Sequence, residues 1–281
     1  MSTRTRRVYA DNGLLFQVMA DETPGLPPYS AARVEMTRVP GGTDRDLVAV
    51  EEPLEIRING RPVAVTMRTP GRDEELALGF CLSEGLQPVA AAIPEDLATN
   101  TVEVEAPGFD PTRLQRSFYT TSSCGICGRG ALEAVAVEAP RVTSELRVPA
   151  GVLAGLPERL LAGQGAFAAT GGLHATGLFD ATGELVCLRE DVGRHNAMDK
   201  VIGWAFLDGR LPLSRSVLCL SGRISFELVQ KASVAGCPIV VAVGAPSSLA
   251  VELGRDRGIT LCGFTRGGGM NVYSEPWRVE R

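Results

Sequence analysis

Several residue types and patterns are scarce in this chain of 281 residues, and each scarcity argues against a class of protein. No uninterrupted apolar run approaches the ~20 residues that a membrane-spanning helix needs. The formal net charge of -5 argues against broad binding of nucleic acid polymers. The basic start, MSTRTRRVYADNG, lacks the apolar stretch of a secretory signal. We therefore expect a cytoplasmic protein with no membrane segment, whose cysteines are thiols.

Histidine is also scarce, and this limits the metal sites that the chain can form. Its two histidines, His174 and His195, are not spaced as a ligand pair, and one CxxC, Cys124 and Cys127, has no second CxxC to complete four ligands. A zinc deaminase needs H-x-E and then P-C-x-x-C. Ser123 stands where that proline would be, and neither histidine begins H-x-E. Zinc is poorly supported, and we expect no catalytic metal ion.

The sequence does contain a clear alternation of strand and helix patterns. In its last third, three short apolar runs at 216–220, 238–243 and 258–264 are separated by two segments of helical spacing. This β-α-β-α-β order predicts a parallel sheet with right-handed crossovers. Further upstream, the pair Asn59-Gly60 predicts a tight turn between two strands, and a helical pattern follows it.

These patterns predict an α/β (α+β) protein of three segments. Residues 1–46 are rich in proline, glycine and charge, and they are predicted to be a poorly ordered N-terminal extension. Residues 47–145 are predicted to form a small α+β domain that carries the CxxC loop near its end. Residues 146–281 are predicted to form the βαβαβ domain. No internal repeat or low-complexity tract interrupts them.

The predicted parallel sheet places three loops together. Ligands of such sheets usually bind beyond the carboxyl ends of the strands. The loops SGR at 221–223, GAPSS at 244–248 and TRGGGMN at 265–271 follow the three predicted strands. We expect these loops to line one common rim of the sheet.

The CxxC sequence YTTSSCGICGRG allows several kinds of chemistry. Besides the zinc site, a thioredoxin-like dithiol is conceivable, but the surrounding order of elements does not fit that fold. A mobile sulfur carrier is the third interpretation, because glycines and serines around Cys124 and Cys127 would let a thiolate move between two partners. Arg129 would favour the thiolate. A pair of unused loop thiols is a fourth interpretation, and spacing alone does not choose among them.

Five other cysteines occur singly along the chain. Cys219 in SVLCL and Cys262 in ITLCGF lie inside apolar runs, so they are predicted to be small core residues. Only Cys124 and Cys127 form a motif.

Longer stretches of the sequence resemble the formate dehydrogenase accessory sulfurtransferase (FdhD-type) family. They are TTSSCGICGRG, TGGLHATGLFD, REDVGRHNAMDKVIG, SGRISFELVQKASVAGCPIVVAVGAPSSLAVELG and GFTRGGGMNVY. The resemblance extends from about Leu47 to the C-terminus and is weakest over 1–46 and 86–116. It implies a cytidine-deaminase-like fold for the C-terminal domain and a homodimer.

The same resemblance implies a function. Members of the family take persulfide sulfur from a cysteine desulfurase. They deliver it to the molybdenum cofactor of formate dehydrogenase, a bis(molybdopterin guanine dinucleotide) that is their bound substrate, and formate dehydrogenase is inactive without that sulfur. Two alternatives stay open: a non-catalytic chaperone that binds the cofactor, and a CxxC thiol-disulfide oxidoreductase.

The resemblance also implies site residues. Cys124 matches the cysteine that carries the persulfide, and Cys127 matches the second, supporting cysteine. The segment that matches the cofactor-binding site, and so would take the guanine nucleotide part, comprises Phe264, Thr265, Arg266, Gly267, Gly268 and Gly269. Judged from its residues alone, TRGGG could bind phosphate through a guanidinium and unobstructed backbone amides, or it could be a flexible hairpin turn.

Further polar residues have two interpretations each. REDVGRHNAMDK could be a solvated helix start with charge pairs, or Arg194 or His195 could face the cofactor or assist sulfur transfer. His174 is interpreted as a structural histidine rather than a ligand. Ser221 and Arg223 lie on the predicted rim and are secondary candidates for binding the nucleotide.

Overall fold

The computed structural model describes residues 29–94, 100–110 and 139–281, together with residues 26 and 137 and the backbone of strands Arg4–Tyr9 and Leu15–Ala20. These residues form a mixed α/β fold, as predicted. The helices are α1 (Asp73–Ser83), α2 (Ala150–Gly163), α3 (Gly165–Thr170), α4 (Arg194–Leu207), α5 (Phe226–Val234) and α6 (Ser248–Arg257). A short 3-10 helix spans Pro276–Arg278.

The strands lie in three larger sheets and one small one. An antiparallel sheet has the order β1-β2-β3-β4 and comprises β1 (Arg4–Tyr9), β2 (Leu15–Ala20), β3 (Ala31–Thr37) and β4 (Thr43–Ala49). A second sheet has the order β6-β5-β8-β7 and comprises β5 (Glu52–Ile58), β6 (Arg61–Arg68), β7 (Ala90–Ala92) and β8 (Thr101–Glu105). Strand β9 (Val148–Pro149) pairs in parallel with β16 (Val279–Glu280).

The largest sheet has the order β11-β10-β12-β13-β14-β15. It comprises β10 (His174–Phe179), β11 (Leu185–Asp191), β12 (Val217–Leu220), β13 (Ile239–Ala242), β14 (Thr260–Arg266) and β15 (Gly269–Ser274). Strands β12, β13 and β14 are parallel and are connected through α5 and α6, so the predicted β-α-β-α-β unit is confirmed. The remaining neighbours are antiparallel.

This sheet is covered on both faces, which explains why its central strands are continuously apolar. Val217 and Cys219 pack with α2, whereas Leu218 and Leu220 pack with α4, α5 and α6. All four side chains are at most 3% exposed. Since the predicted core residues Cys219 and Cys262 are both fully buried here, that prediction is confirmed.

The smaller sheet of β5 to β8 has one buried face. Leu54, Ile56 and Ile58 alternate along β5, are fully buried and pack on α1. The predicted turn at Asn59-Gly60 is confirmed, with φ of 49° and 79°, the positive values that a type I′ hairpin turn requires.

Three local details differ from the sequence-based expectation. The sequence PAGVLAGLPERLLAG predicts a helix interrupted by Pro157, but α2 continues through that residue, because Pro157 and its neighbours are buried against the large sheet. The sequence SSLAVELG predicts a helix that ends at Gly254, but α6 continues past it and stops at Gly258, whose φ is +69°. The hairpin of β3 and β4 was not expected, since most of its side chains are exposed and show no apolar alternation. The domain limits stay predictions.

Helices α1 and α4 cross at very short range, and the crossing joins the sheet of β5 to β8 to the six-stranded sheet. A Cβ on Gly79 of α1 would overlap the backbone carbonyl oxygen of Asp199, and a Cβ on Gly203 of α4 would overlap that of Glu75. Each helix therefore uses a glycine where the other helix's backbone touches it. Any larger residue must push the two helices apart.

We predict that Gly203→Ala lowers the free energy of unfolding by ~3 kcal/mol or more, because the added methyl group meets backbone that a rotamer change cannot move. Thermal or urea unfolding measures it. The matched control is Gly155→Ala in α2, where an added Cβ has nothing within 4 Å, so a neutral or stabilising effect of up to ~1 kcal/mol is expected. Equal effects of the two substitutions would contradict the close crossing.

Candidate functional site

The three loops predicted to share a rim do lie together at the carboxyl ends of the parallel strands. The amide of Gly244 donates to the carbonyl of Gly222 at 3.0 Å, and the amide of Phe264 donates to the carbonyl of Gly244 at 3.1 Å. Ile224 and Pro246 form an isolated parallel bridge between two of the loops. The rim prediction is therefore confirmed by a continuous set of backbone contacts.

Glycines allow the loops of the rim to approach this closely. A Cβ on Gly244 would lie 2.9 Å from the carbonyl oxygen of Gly222, and a Cβ on Gly263 would lie 3.0 Å from that of Gly244. Both distances are shorter than ordinary contacts of a side chain with backbone. The loops of the rim are therefore in direct contact through their main chains.

Residues 264–269 form the hairpin that joins β14 to β15. Arg266 pairs with Gly269 across Gly267 and Gly268, whose φ values of 57° and 78° are those of a tight two-residue turn. The segment is thus the hairpin that the sequence left open as an alternative, a geometry that does not by itself decide whether it binds a ligand.

Two residues of this hairpin differ sharply in exposure. Phe264 is 43% exposed and has a φ of 51°, a strained value for a residue with a Cβ. Thr265 is fully buried, and its hydroxyl finds no hydrogen-bond partner in the described part of the chain. Phe264 and the exposed Arg266 are therefore the side chains that this end of the rim offers to a ligand.

The segment REDVGRHNAMDK is not a solvated helix start, because its central charges are buried. Asp191 is fully buried, and its carboxylate lies 2.7 Å from the ammonium of Lys200 and accepts from the amide of Thr69 at 3.1 Å. Lys200 donates in turn to the carbonyl of Thr69 at 2.9 Å. Another buried pair joins Asp199 to Lys231 at 2.7 Å. These ion pairs hold α4 in place relative to the sheet of β5 to β8. Because α4 begins at the rim, they also position the rim.

The two histidines lie at the rim, beside the start of α4. His174 is half-buried at the start of β10, and its imidazole lies 3.6 Å from where a Cβ of Gly222 would be. Burial lowers its pKa, and the positive charge of Arg194 lowers it further. His174 is therefore neutral at physiological pH, and its position allows a role beyond packing.

His195 has partners that sequence reasoning missed. Its Nε2 lies 3.4 Å from the hydroxyl of Ser225 and 3.8 Å from the carboxylate of Glu227. The hydrogen bond from His195 is the largest of the effects that lower the pKa of Glu227 to about 2. The sequence gives no signal of this contact, because His195 and Ser225 are 30 residues apart in the chain.

Positive charge is left unpaired along the rim. In the described ranges, no carboxylate lies within ion-pairing distance of Arg194, Arg223 or Arg266, whereas Arg68 and Arg189 each have one. Unpaired guanidinium groups beside exposed main chain suit phosphate, which accepts several hydrogen bonds at once. The rim thus offers a surface for an anionic ligand.

Known proteins resemble this chain along most of its length. Residues 49–280 match the model of the FdhD/NarQ family. The chain belongs to the FdhD/NarQ family. A sulfur carrier protein FdhD from Streptomyces avermitilis is 51% identical over 254 residues, which cover 84% of this chain and 90% of that relative. Another from Mycobacterium tuberculosis is 49% identical over 261 residues, which cover 84% and 93%.

A solved structure supports the same relationship. A protein from Desulfotalea psychrophila, assigned as a formate dehydrogenase accessory protein, superposes with a TM-score of 0.68 at 26% identity. The match covers 89% of this chain and 98% of that one. Both the family and the fold are therefore shared along nearly the whole length.

The described residues of this FdhD/NarQ family member offer neither a cluster of metal ligands nor a membrane-spanning helix. Among the described residues, no group of three or more His, Cys, Asp or Glu side chains could hold a metal ion. None of the described helices is long and apolar enough to cross a bilayer. Cys124 and Cys127, the two predicted sulfur-transfer residues, lie outside the described residues.

The five cysteines that the structure does describe are all buried free thiols: Cys81, Cys187, Cys219, Cys237 and Cys262. Burial raises the pKa of Cys187 to about 11 and that of Cys81, Cys237 and Cys262 to about 12. The pKa of Cys219 is raised further, also by burial. Since the thiolate is the reactive form, all five are poor nucleophiles in the folded protein.

We predict that iodoacetamide at pH 8 leaves these five cysteines unmodified in the folded protein, because each remains a protonated, buried thiol. Peptide mass spectrometry would place the label on Cys124 and Cys127 alone, and all seven would react in guanidinium chloride. Rapid labelling of Cys187 or Cys237 in the folded state would contradict the predicted difference in reactivity.

Proposed function

We propose that this chain carries sulfur for the maturation of formate dehydrogenase. A persulfide on Cys124 would receive the sulfur from a cysteine desulfurase and deliver it to the molybdenum cofactor, bis(molybdopterin guanine dinucleotide), bound as substrate. The observation that carries the proposal is the burial of the five described cysteines in a chain whose relatives are named sulfur carriers. It leaves Cys124 and Cys127 as the thiols able to react.

The uptake step balances without any further reactant. The thiolate of Cys124 attacks the outer sulfur of the desulfurase persulfide, and a new S–S bond forms on Cys124. The old S–S bond breaks, and its electron pair stays with the desulfurase cysteine, which leaves as a thiolate. Cys127, three residues further along, is placed by the sequence to act on the persulfide afterwards.

Chain length allows the persulfide to reach the rim. The described chain resumes at Val137, whose amide donates to the side chain of Gln230 in α5 at 3.1 Å. Cys124 precedes Val137 by 13 residues (137 − 124), which can span at most ~45 Å. Six strands spaced ~4.8 Å apart make a sheet about 24 Å wide. Every point of the rim therefore lies within reach.

The rim supports the second half of the proposal, binding of the cofactor. Each guanine dinucleotide contains a diphosphate, and the hairpin offers Arg266 with the exposed ring of Phe264 beside it. An aromatic face can stack on a guanine base, and a guanidinium can bind phosphate in a bidentate manner. A homodimer and a cytoplasmic location stay predictions alongside it.

We predict that Cys124→Ala abolishes the mass gain of one sulfur atom on the CxxC peptide after incubation with a cysteine desulfurase and cysteine. Activation of formate dehydrogenase should also be lost, whereas binding of GDP should be retained, because the rim is unchanged. Cys187→Ala is the control that should keep both activities. Normal activation by Cys124→Ala would instead favour a chaperone that binds the cofactor without chemistry.

We predict that Arg266→Gln weakens GDP binding tenfold or more, since a charge-assisted hydrogen bond to phosphate contributes ~1.5–3 kcal/mol. Isothermal titration calorimetry would measure it. The matched control is Arg215→Gln. Arg215 is an exposed arginine just before β12, at the amino end of the strand and so away from the rim. Equal affinity of the two variants would mean that the nucleotide binds elsewhere.

A further inference from the structure

The rim is a row of loops whose order follows the order of the strands beneath it. The hairpin of residues 264–269 extends β14, and β10 lies three strands away from it in the sheet. Strand β10 runs antiparallel to β12, with Thr176 opposite Leu220, so His174 at the start of β10 lies level with Gly222. Three strand spacings separate His174 from the hairpin by ~14 Å. A single phosphate group bound at the hairpin cannot also contact His174.

Two consecutive backbone amides are free beside His174. The N–H groups of Gly222 and Arg223 have no hydrogen-bond acceptor in the described part of the chain. The amides on either side of them, those of Ser221 and Ile224, each donate to a backbone carbonyl at 3.0 Å. Successive free N–H groups of a loop can bind an anion together. The loop that follows β12 therefore presents a pair of donors at the rim.

The imidazole of His174 adds another donor. Its ring atoms lie 3.6 and 3.7 Å from where a Cβ of Gly222 would be, and no described residue forms a hydrogen bond with it. Burial lowers its pKa, the charges of Arg194 and His195 lower it further, and the carboxylate of Asp191 only partly opposes them. The ring is therefore neutral at physiological pH, and one of its nitrogens keeps an N–H that can donate to an anion.

Positive charge surrounds these donors without a matching carboxylate. Arg194 and Arg223 have no ion-pair or hydrogen-bond partner among the described side chains. Asp191 is committed to its buried ion pair, and Glu227 lies 3.8 Å from His195. Like charges repel one another, and an anion placed between them offsets that repulsion. This end of the rim thus combines free amides, a free imidazole and two unpaired guanidinium groups.

We propose that four residues of this end form a second anion subsite, which binds a phosphate group ~14 Å from one bound at the hairpin. They are His174, Arg194, Gly222 and Arg223. The inference rests on the proposed function, and it specifies the ligand class: a molecule with two separated phosphate groups rather than a mononucleotide. Such a ligand binds more tightly than GDP, because its second contact is intramolecular once the first has formed.

The test follows the imidazole resonances of His174 by NMR while the folded protein is titrated with inorganic pyrophosphate, which has the charge of a nucleotide diphosphate but no base. The chain has two histidines, so His174→Asn assigns the signals. We expect a saturable change of the His174 resonances. The pKa of His174 should rise by ~1 unit or more when the anion is bound, because a nearby negative charge favours the imidazolium.

Variants separate the two ends of the rim. Arg194→Gln and Arg223→Gln should each weaken pyrophosphate binding at His174 tenfold or more, since each removes a charged donor. Arg266→Gln should leave this affinity within twofold, although it weakens GDP binding at the hairpin. Arg215→Gln, which alters an exposed arginine away from the rim, is the matched control and should change neither affinity.

Three results would overturn the proposal. The first is no response of His174 to saturating pyrophosphate, and the second is an equal effect of Arg194→Gln and Arg215→Gln. The third is loss of the His174 response in Arg266→Gln, because the rim would then hold one anion site instead of two. Sulfur loading reports separately on the proposed function. If the wild type gains no sulfur but His174 responds as expected, the sulfur-carrier role fails and the anion subsite stands.

Discussion

The close crossing of α1 and α4 is the constraint on which the rest of the structure depends. At the crossing, backbone touches backbone at Gly79 and Gly203, and Asp191 with Lys200 is buried beside it. Breaking one partner of such a pair typically costs ~3–5 kcal/mol, because it leaves an unpaired buried charge. The pair therefore fixes one register of the two helices. Since α4 begins at the rim, that register also fixes where His195 stands.

The rim concentrates positive charge in a chain that is negative as a whole, with a net charge of -5. Its loops pack against one another through glycines, and in the described ranges Arg194, Arg223 and Arg266 have no ion-pair partner. A surface of one charge sign raises the local concentration of an oppositely charged ligand. An anionic ligand would be attracted to this surface, whereas the acidic remainder of the chain would repel it.

Burial keeps the five cysteines that the structure describes unreactive. Cys81 and Cys237 hold their protons because the core cannot solvate a thiolate, so oxidants and persulfides find no nucleophile there. Sulfur handled by the chain would therefore not spread onto the thiols of the core.

The sequence by itself determined the β-α-β-α-β order of the last third, the turn at Asn59-Gly60 and the common rim, because periodicity and turn residues are local signals. It also placed Cys219 and Cys262 in the core. It misplaced the end of α6 and expected a break at Pro157, since both depend on packing against the large sheet. Only the tertiary structure decided that Asp191 binds Lys200 and Thr69, and that His195 meets Glu227. Those contacts join residues far apart in sequence, and the free energy that selects them exists only once the layers have packed.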